Sequence, residues 1–133
     1  MIVVDTSVWV DFFRDRGTWQ VEHLAALISA DDPVALTDVV LTEILQGLPN
    51  DREARRVERR LLAFDVLRLD TLDDFRRAAS LYRQARTRGI TIRRTLDCLI
   101  ASVCVRHGVP LLHADADFDR LAGCTKLRVV GPV

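Results

Sequence analysis

The chain has 133 residues, of which 49% are hydrophobic and 29% are charged. A chain of this length can bury about two thirds of its unfolded surface without crosslinks, and its composition is too apolar for a disordered protein. Lys plus Arg and Asp plus Glu number 19 each, so the chain as a whole does not attract a polyanion, and nucleic-acid binding would require local patches or a bridging metal. We expect one globular domain over residues 1–133.

The cysteines and the first residues of the chain indicate a compartment. Cys98, Cys104 and Cys124 are odd in number and form no C-x-x-C pair, which argues against a disulfide framework and against a zinc knuckle. Met1 leads directly into Ile2-Val3-Val4-Asp5, without a basic region or a long apolar stretch, so neither a secretion signal nor a membrane span is visible. We therefore expect a cytoplasmic protein.

Short β-branched runs alternate with longer segments of helical period, a pattern typical of a parallel sheet covered by helices. In chain order, the predicted elements are strand Ile2–Asp5, helices Val8–Arg14 and Val21–Ala30, strand Val34–Thr37, helices Val39–Leu48 and Arg52–Phe64, strand Val66–Leu69, helices Leu72–Arg88 and Leu96–His107, strand Pro110–His113, helix Phe118–Ala122 and strand Leu127–Val130. The sequence thus predicts one continuous α/β unit.

Three acidic residues lie where predicted strands end or a predicted helix begins. Asp5 ends the first strand, Asp115 follows the fourth, and Asp97 lies in the first turn of the helix opened by Thr95. Parallel strands joined by right-handed crossovers place their C-terminal ends, and the starts of the following helices, at one edge of the sheet. We expect the three carboxylates to meet there, although each acid taken alone is equally well explained as a helix cap or a first-turn acid.

Glu43 is the acid that local structure explains least. It lies in the largely apolar segment Asp38–Leu45, with no basic residue within several positions, and buried acids require a partner. Clustered carboxylates raise one another's pKa, a cost that a divalent cation removes. Oxygen-only ligands favour Mg²⁺ or Mn²⁺, and two such ions about 4 Å apart would activate water and stabilise the leaving oxygen in phosphodiester hydrolysis.

Four segments of the chain, taken in order and spacing, resemble the PIN-domain family and, within it, the VapC-type toxins of bacterial type II toxin–antitoxin systems. These segments are Val3-Val4-Asp5-Thr6-Ser7, Glu43-Ile44-Leu45-Gln46-Gly47, Thr95-Leu96-Asp97-Cys98-Leu99-Ile100-Ala101 and Leu111-Leu112-His113-Ala114-Asp115-Ala116-Asp117-Phe118. The resemblance covers nearly the whole chain. It implies a three-layer α/β/α sandwich with a central parallel sheet of about five strands.

The resemblance also implies an activity and a set of site residues. Asp117 would be an auxiliary metal-binding acid and Ser7 would support the site by hydrogen bonding near the first aspartate, beside the four catalytic, metal-binding acids Asp5, Glu43, Asp97 and Asp115. The expected activity is that of an endoribonuclease using one or two Mg²⁺ or Mn²⁺ ions per site. A homodimer is expected, inhibited by a VapB-type antitoxin whose C-terminal segment occupies the active-site groove and through which alone the toxin reaches operator DNA.

Basic residues near these segments leave alternatives open. His113 stands where relatives usually carry a small hydroxyl residue, and it is either an outer partner of the metals or a strand-end histidine without a role. Arg93 and Arg94 either reach the scissile phosphate or belong to an exposed loop. The arginine-rich helix in residues 51–64 either presents a solvated face or contacts RNA or the antitoxin.

Two other functions compete with nuclease activity. A catalytically silent PIN-like module would bind RNA or protein without cutting, and the intact set of four acids argues against it. A phosphoacceptor receiver domain would use Asp70 after the third strand, but it also needs a late lysine, and Lys126 is poorly placed. A haloacid-dehalogenase-type phosphatase is excluded because it needs a second aspartate where this chain has Ser7.

Overall fold

The computed structural model describes residues 1–132. Within that range, four strands and seven helices follow one another as β1 (Ile2–Val4), α1 (Thr6–Phe13), α2 (Trp19–Ser29), β2 (Val34–Thr37), α3 (Asp38–Gln46), α4 (Asp51–Leu61), β3 (Asp65–Leu67), α5 (Leu72–Arg86), α6 (Thr95–His107), β4 (Leu111–Leu112) and α7 (Ala116–Cys124). None of these helices is both long enough and apolar enough to cross a membrane.

The strands form one parallel sheet in the order β3-β2-β1-β4. Val3 of β1 pairs with Ala35 of β2 on one side and with Leu111 of β4 on the other. All three residues are fully buried, as expected for strands whose two faces are both covered by helices. The sheet order places the C-terminal ends of β1 and β4 side by side.

The predicted α/β class and parallel sheet are confirmed, and each predicted helix is present with its ends shifted by a few residues. The fifth predicted strand, Leu127–Val130, is wrong as a strand, because in residues 1–132 it contributes only an isolated bridge between Val129 and Leu111. Its backbone still bonds to β4 on both sides of that bridge. The ladder stays short because the Val109 N–H, two residues before Leu111, donates to the Cys104 carbonyl at the end of α6, and because β4 ends at Leu112.

Helix capping places two of the predicted site acids. The Asp5 side chain accepts a hydrogen bond from the Ser7 N–H and caps α1, and the Asp115 side chain accepts one from the Asp117 N–H and caps α7. At α6 the N-cap residue is Arg94, whose side chain makes no capping bond. The cap interpretation of Asp5 and Asp115 is therefore correct, and it is compatible with a second role for each carboxylate.

A buried ion-pair network joins α5 to α6. Asp74 is fully buried, and its Oδ1 accepts hydrogen bonds from Arg77 and from Arg106, each at 2.8 Å. The Ser102 hydroxyl of α6 donates to the Asp74 carbonyl at 2.6 Å. Burial disfavours the charged carboxylate, but the hydrogen bonds from the Asp70 N–H, Arg106 and Arg77 outweigh it and lower the pKa of Asp74. The charge is thus fully compensated inside the protein.

Candidate active site: an acid cluster at the sheet edge

Asp5 and Asp115 lie at the C-terminal edge of the sheet, as the topology predicts. The Asp5 N–H donates to the Leu112 carbonyl of β4 at 2.9 Å. Ser7 joins the two strand ends, because its hydroxyl donates to Asp5 Oδ2 at 2.6 Å and accepts from the Ala114 N–H at 3.0 Å. Ser7 therefore fixes both the Asp5 carboxylate and the loop that leads to Asp115.

Glu43 reaches the same edge from α3, and its side chain is only 7% exposed. Both of its partners are distant in sequence: the Thr6 hydroxyl donates to Oε1 at 2.8 Å, and Arg94 Nη1 donates to Oε2 at 3.2 Å. Thr6 was not among the predicted site residues. The available signal was its position next to Asp5 at the start of α1, where a side chain faces the same edge.

One guanidinium group contacts acids from three parts of the chain. Arg94 Nη2 donates to Asp97 Oδ1 at 2.7 Å, Nη1 donates to Glu43, and Nη2 lies 4.0 Å from Asp115 Oδ2. Among residues 1–132 no three His, Cys, Asp or Glu side chains form a ready-made metal cage. The acids instead meet around Arg94, which shows that Glu43, Asp97 and Asp115 are brought together although they are far apart in sequence.

Asp117 faces arginines on both of its carboxylate oxygens. Arg93 donates to Oδ2 through its N–H at 3.2 Å and through Nε at 3.1 Å, while Arg120 donates to Oδ1 at 2.7 Å. Burial opposes the charge, but these hydrogen bonds outweigh it and lower the pKa of Asp117. Arg93 also contacts Asp115 Oδ1 at 3.3 Å. Arg120 was missed in the sequence, where its i,i+3 spacing from Asp117 was the only signal.

Burial disfavours the charged forms of Asp5 and Asp97. Burial raises the pKa of Asp5, and the neighbouring Glu43 charge adds to this effect, against the hydrogen bonds from Ser7. Burial also raises the pKa of Asp97 to about 6, despite the opposing hydrogen bond and charge of Arg94. Within the described chain, Asp5 Oδ1 is buried without a hydrogen-bond partner. A buried, unpaired carboxylate oxygen among other acids fits the oxygen-only ligand set that Mg²⁺ and Mn²⁺ prefer.

The sequence pattern of the PIN domain matches residues 2–123, the range that contains all the acids of the cluster. The chain belongs to the PIN-domain family. The ribonuclease VapC11 of Mycobacterium tuberculosis is 40% identical to this PIN domain over 129 residues, which is 96% of each chain. The predicted family resemblance, including the VapC-type relatives, is confirmed.

Solved structures show the same fold. The VapBC2 complex of Rickettsia felis, bound to a DNA fragment from its promoter, matches with a TM-score of 0.77 at 16% identity and 98% coverage of both chains. VapBC-5 of Mycobacterium tuberculosis matches with a TM-score of 0.67 at 25% identity, over 96% of this chain and 95% of that chain. The α/β architecture of this PIN domain is thus the same as that of the matching chains in these solved VapBC structures.

His113 of this PIN domain is buried and has partners on both ring nitrogens. Nδ1 accepts a hydrogen bond from the Asp115 N–H at 3.0 Å, and Nε2 lies 3.1 Å from Asp119 Oδ1. Because Nδ1 is the acceptor, Nε2 carries the proton that is shared with Asp119. His113 follows directly after β4, and its bond to the Asp115 N–H holds the backbone at the N-cap residue of α7. A role as an outer partner of the metals stays a prediction.

The arginines of α4 are exposed, and they make one local ion pair and one contact with α1. Arg56 pairs with Glu53 at 2.8 Å, and the Arg60 guanidinium lies 4.8 Å from the centre of the Phe13 ring. Arg56 and Arg60 also line a groove of about 380 Å³ that includes Glu43 of the acid cluster. The arginine-rich helix thus has a solvated face with local ion pairs, and one side of it leads to the site.

Proposed function

We propose that this PIN domain is a Mg²⁺- or Mn²⁺-dependent endoribonuclease and the toxin of a toxin–antitoxin pair. The observation that supports it best is the meeting of Glu43, Asp97 and Asp115 around one cationic group, next to the buried Asp5 with its unpaired oxygen. Acidic side chains tolerate such proximity when cations compensate their charge. The ligands of the proposed ions are Asp5, Glu43, Asp97 and Asp115, with Asp117 as an auxiliary acid.

Bound divalent ions would supply an activated water and neutralise charge on the scissile phosphate. The chain's own residues would prepare for this chemistry by holding the carboxylates in fixed orientations. Ser7 holds Asp5 and Thr6 holds Glu43, each by a hydroxyl hydrogen bond. Arg93, whose side chain is 72% exposed at the rim of the cluster, would contact a phosphate of the RNA.

The names of the relatives support the remaining assignments. VapC11 is named a ribonuclease, and the solved neighbours are named VapBC complexes, one of them bound to promoter DNA. We extend these properties to this chain as a proposal. It would cleave RNA as a homodimer in the cytoplasm, and a VapB-type antitoxin would inhibit it and connect it to operator DNA.

The test is cleavage by Asp97→Asn, which removes the charge and keeps the size of the side chain. We expect RNA cleavage by the purified protein to require Mg²⁺ or Mn²⁺, to stop in chelator, and to fall at least about 100-fold in the variant. Asp73→Asn is the matched control, because the Asp73 side chain is 73% exposed and forms an ion pair with Arg76 at the surface.

The outcome also separates the competing functions. Mapping the ends of the cut RNAs gives the cleavage sequence in the same experiment. Cleavage by Asp97→Asn at the wild-type rate would remove the proposed mechanism. If the wild-type protein binds RNA but cleaves it with none of the tested metals, the chain is a silent PIN-like module.

A further inference from the structure

Arg94 occupies the position in the acid cluster where a bound cation would be expected. Its guanidinium bonds Glu43 Oε2 at 3.2 Å and Asp97 Oδ1 at 2.7 Å, and it lies 4.0 Å from Asp115 Oδ2. These carboxylates come from α3, from α6 and from the residue before α7. The planar fork of arginine suits this task, because its separate N–H groups can bridge two carboxylates at once.

Hydrogen bonds to two of these acids hold the Arg94 side chain in the cluster. Arg94 is the N-cap residue of α6, but its side chain makes no capping bond, and it is 49% exposed. Among the described residues its side-chain hydrogen bonds go to Glu43 and Asp97 alone. Because half of the side chain is already exposed and its hydrogen bonds within residues 1–132 end on these acids, it can turn towards water when another cation takes its partners.

We propose that Arg94 is an internal competitor of the metal ion, holding Glu43 and Asp97 together in the metal-free protein and leaving the cluster when the ion binds. This inference rests on the proposed function, because it takes these acids as the metal ligands. The guanidinium lies between the Glu43 and Asp97 carboxylates, where an ion bound by both acids would also lie, and the two positive charges repel at such a short distance. The apparent metal affinity is therefore reduced by the fraction of molecules in which Arg94 occupies the cluster.

The test is a metal titration of chelator-treated, dialysed protein. Isothermal titration calorimetry with Mn²⁺ at constant ionic strength gives the Kd of the wild-type protein and of Arg94→Gln. If Arg94 occupies the cluster about nine-tenths of the time, the Kd of the variant falls about tenfold. Arg94→Lys keeps the charge but lacks the planar guanidinium, so its Kd for Mn²⁺ is expected to lie between those of the wild type and Arg94→Gln. Arg76→Gln, which removes an arginine from an exposed i,i+3 pair with Asp73, is expected to match the wild type.

Melting temperatures supply a second measurement. In chelator, Arg94→Gln is expected to melt below the wild type, because its acids then repel one another without a counter-charge. Saturating Mg²⁺ is expected to raise the melting temperature of Arg94→Gln by more than that of the wild type, since the ion binds the native state of the variant more tightly. In ¹⁵N spectra of the wild type, Mg²⁺ is expected to move the Arg94 Nε–H signal.

The outcomes distinguish this inference from the proposed function. Tighter Mn²⁺ binding by Arg94→Gln with an unchanged Arg76→Gln supports the inference. A wild type that binds Mn²⁺ while Arg94→Gln binds it equally or more weakly overturns the inference and leaves the metal site in place. Absence of Mn²⁺ binding by every variant, the wild type included, overturns both.

Discussion

The unfolding free energy of the metal-free PIN domain is expected to fall as pH rises from 4 to 7, through the titration of Asp97. Its carboxyl group is almost fully buried, and burial raises its pKa from 3.8 to about 6. The native state therefore holds a proton that the unfolded chain has already released between those two values. Stability from this group is fully present below pH 3.8 and is lost as pH rises through about 6.

The size of the effect follows from the shift. A difference of about two pKa units corresponds to about 3 kcal/mol between the two protonation states. The Asp97 side chain is only 1% exposed, so screening by solvent hardly reduces this free-energy difference. Asp5 faces the same cluster and its pKa is raised as well, so its contribution has the same sign. The pKa values of Asp74 and Asp117 are lowered. These two carboxylates therefore stabilise the native state above about pH 4, and that contribution is lost as pH falls below about 4.

Urea unfolding in chelator at pH 4, 5, 6 and 7 measures the effect, with wild type compared to Asp97→Asn. The variant has nothing to titrate at this position, so the difference in unfolding free energy between the two proteins is expected to change by about 2–3 kcal/mol across the range. Asp73→Asn is the control and should keep the wild-type slope. Parallel pH curves for wild type and Asp97→Asn would refute the claim that burial dominates at this carboxylate.

Three further predictions concern other parts of the molecule. Asp74→Asn leaves two arginines without their shared carboxylate and is expected to reduce the unfolding free energy by about 3 kcal/mol in urea denaturation; a loss under about 1 kcal/mol would contradict the network. Ser7→Ala is expected to lower the initial rate of RNA cleavage about tenfold with an unchanged circular dichroism spectrum, and an unchanged rate would show that Asp5 does not depend on it. Gly108→Ala, at φ 63° after α6, is expected to cost about 1 kcal/mol of stability, whereas Gly17→Ala, in open space without positive φ, should leave stability nearly unchanged.

The sequence predicted the fold because its elements are specified locally. The β2 boundaries, Val34–Thr37, follow from a short apolar run after Pro33, and all seven helices have apolar residues at helical spacing. Leu127–Val130 has the same β-branched character and nevertheless makes only one bridge. Strand formation there depends on the length of β4, which is a property of its neighbour and cannot be read from the segment itself.

The sequence indicated that the acids would lie close together and named Arg93 and Arg94 beside them, but it did not indicate which side chains would contact one another. Asp5 and Asp115 follow strands that the parallel topology brings together, so their proximity comes from the order of elements alone. The partners of Glu43, in contrast, lie 37 and 51 residues away in sequence, at Thr6 and Arg94. No local period encodes such contacts, since they depend on how α3 packs beside α1 and on the path of the chain before α6.

The Asp74 network has a bearing on the acid cluster that its location does not suggest. Ser102 and Arg106 attach the later turns of α6 to α5, while Asp97 lies in the first turn of the same helix. Arg106 follows Asp97 by nine positions in the same helix, a distance of about 14 Å along the axis. Because α6 is a continuous helix that Ser102 and Arg106 attach to α5, its first turn has little freedom to tilt. The orientation of the Asp97 carboxylate is therefore set partly by residues that do not contact the other acids.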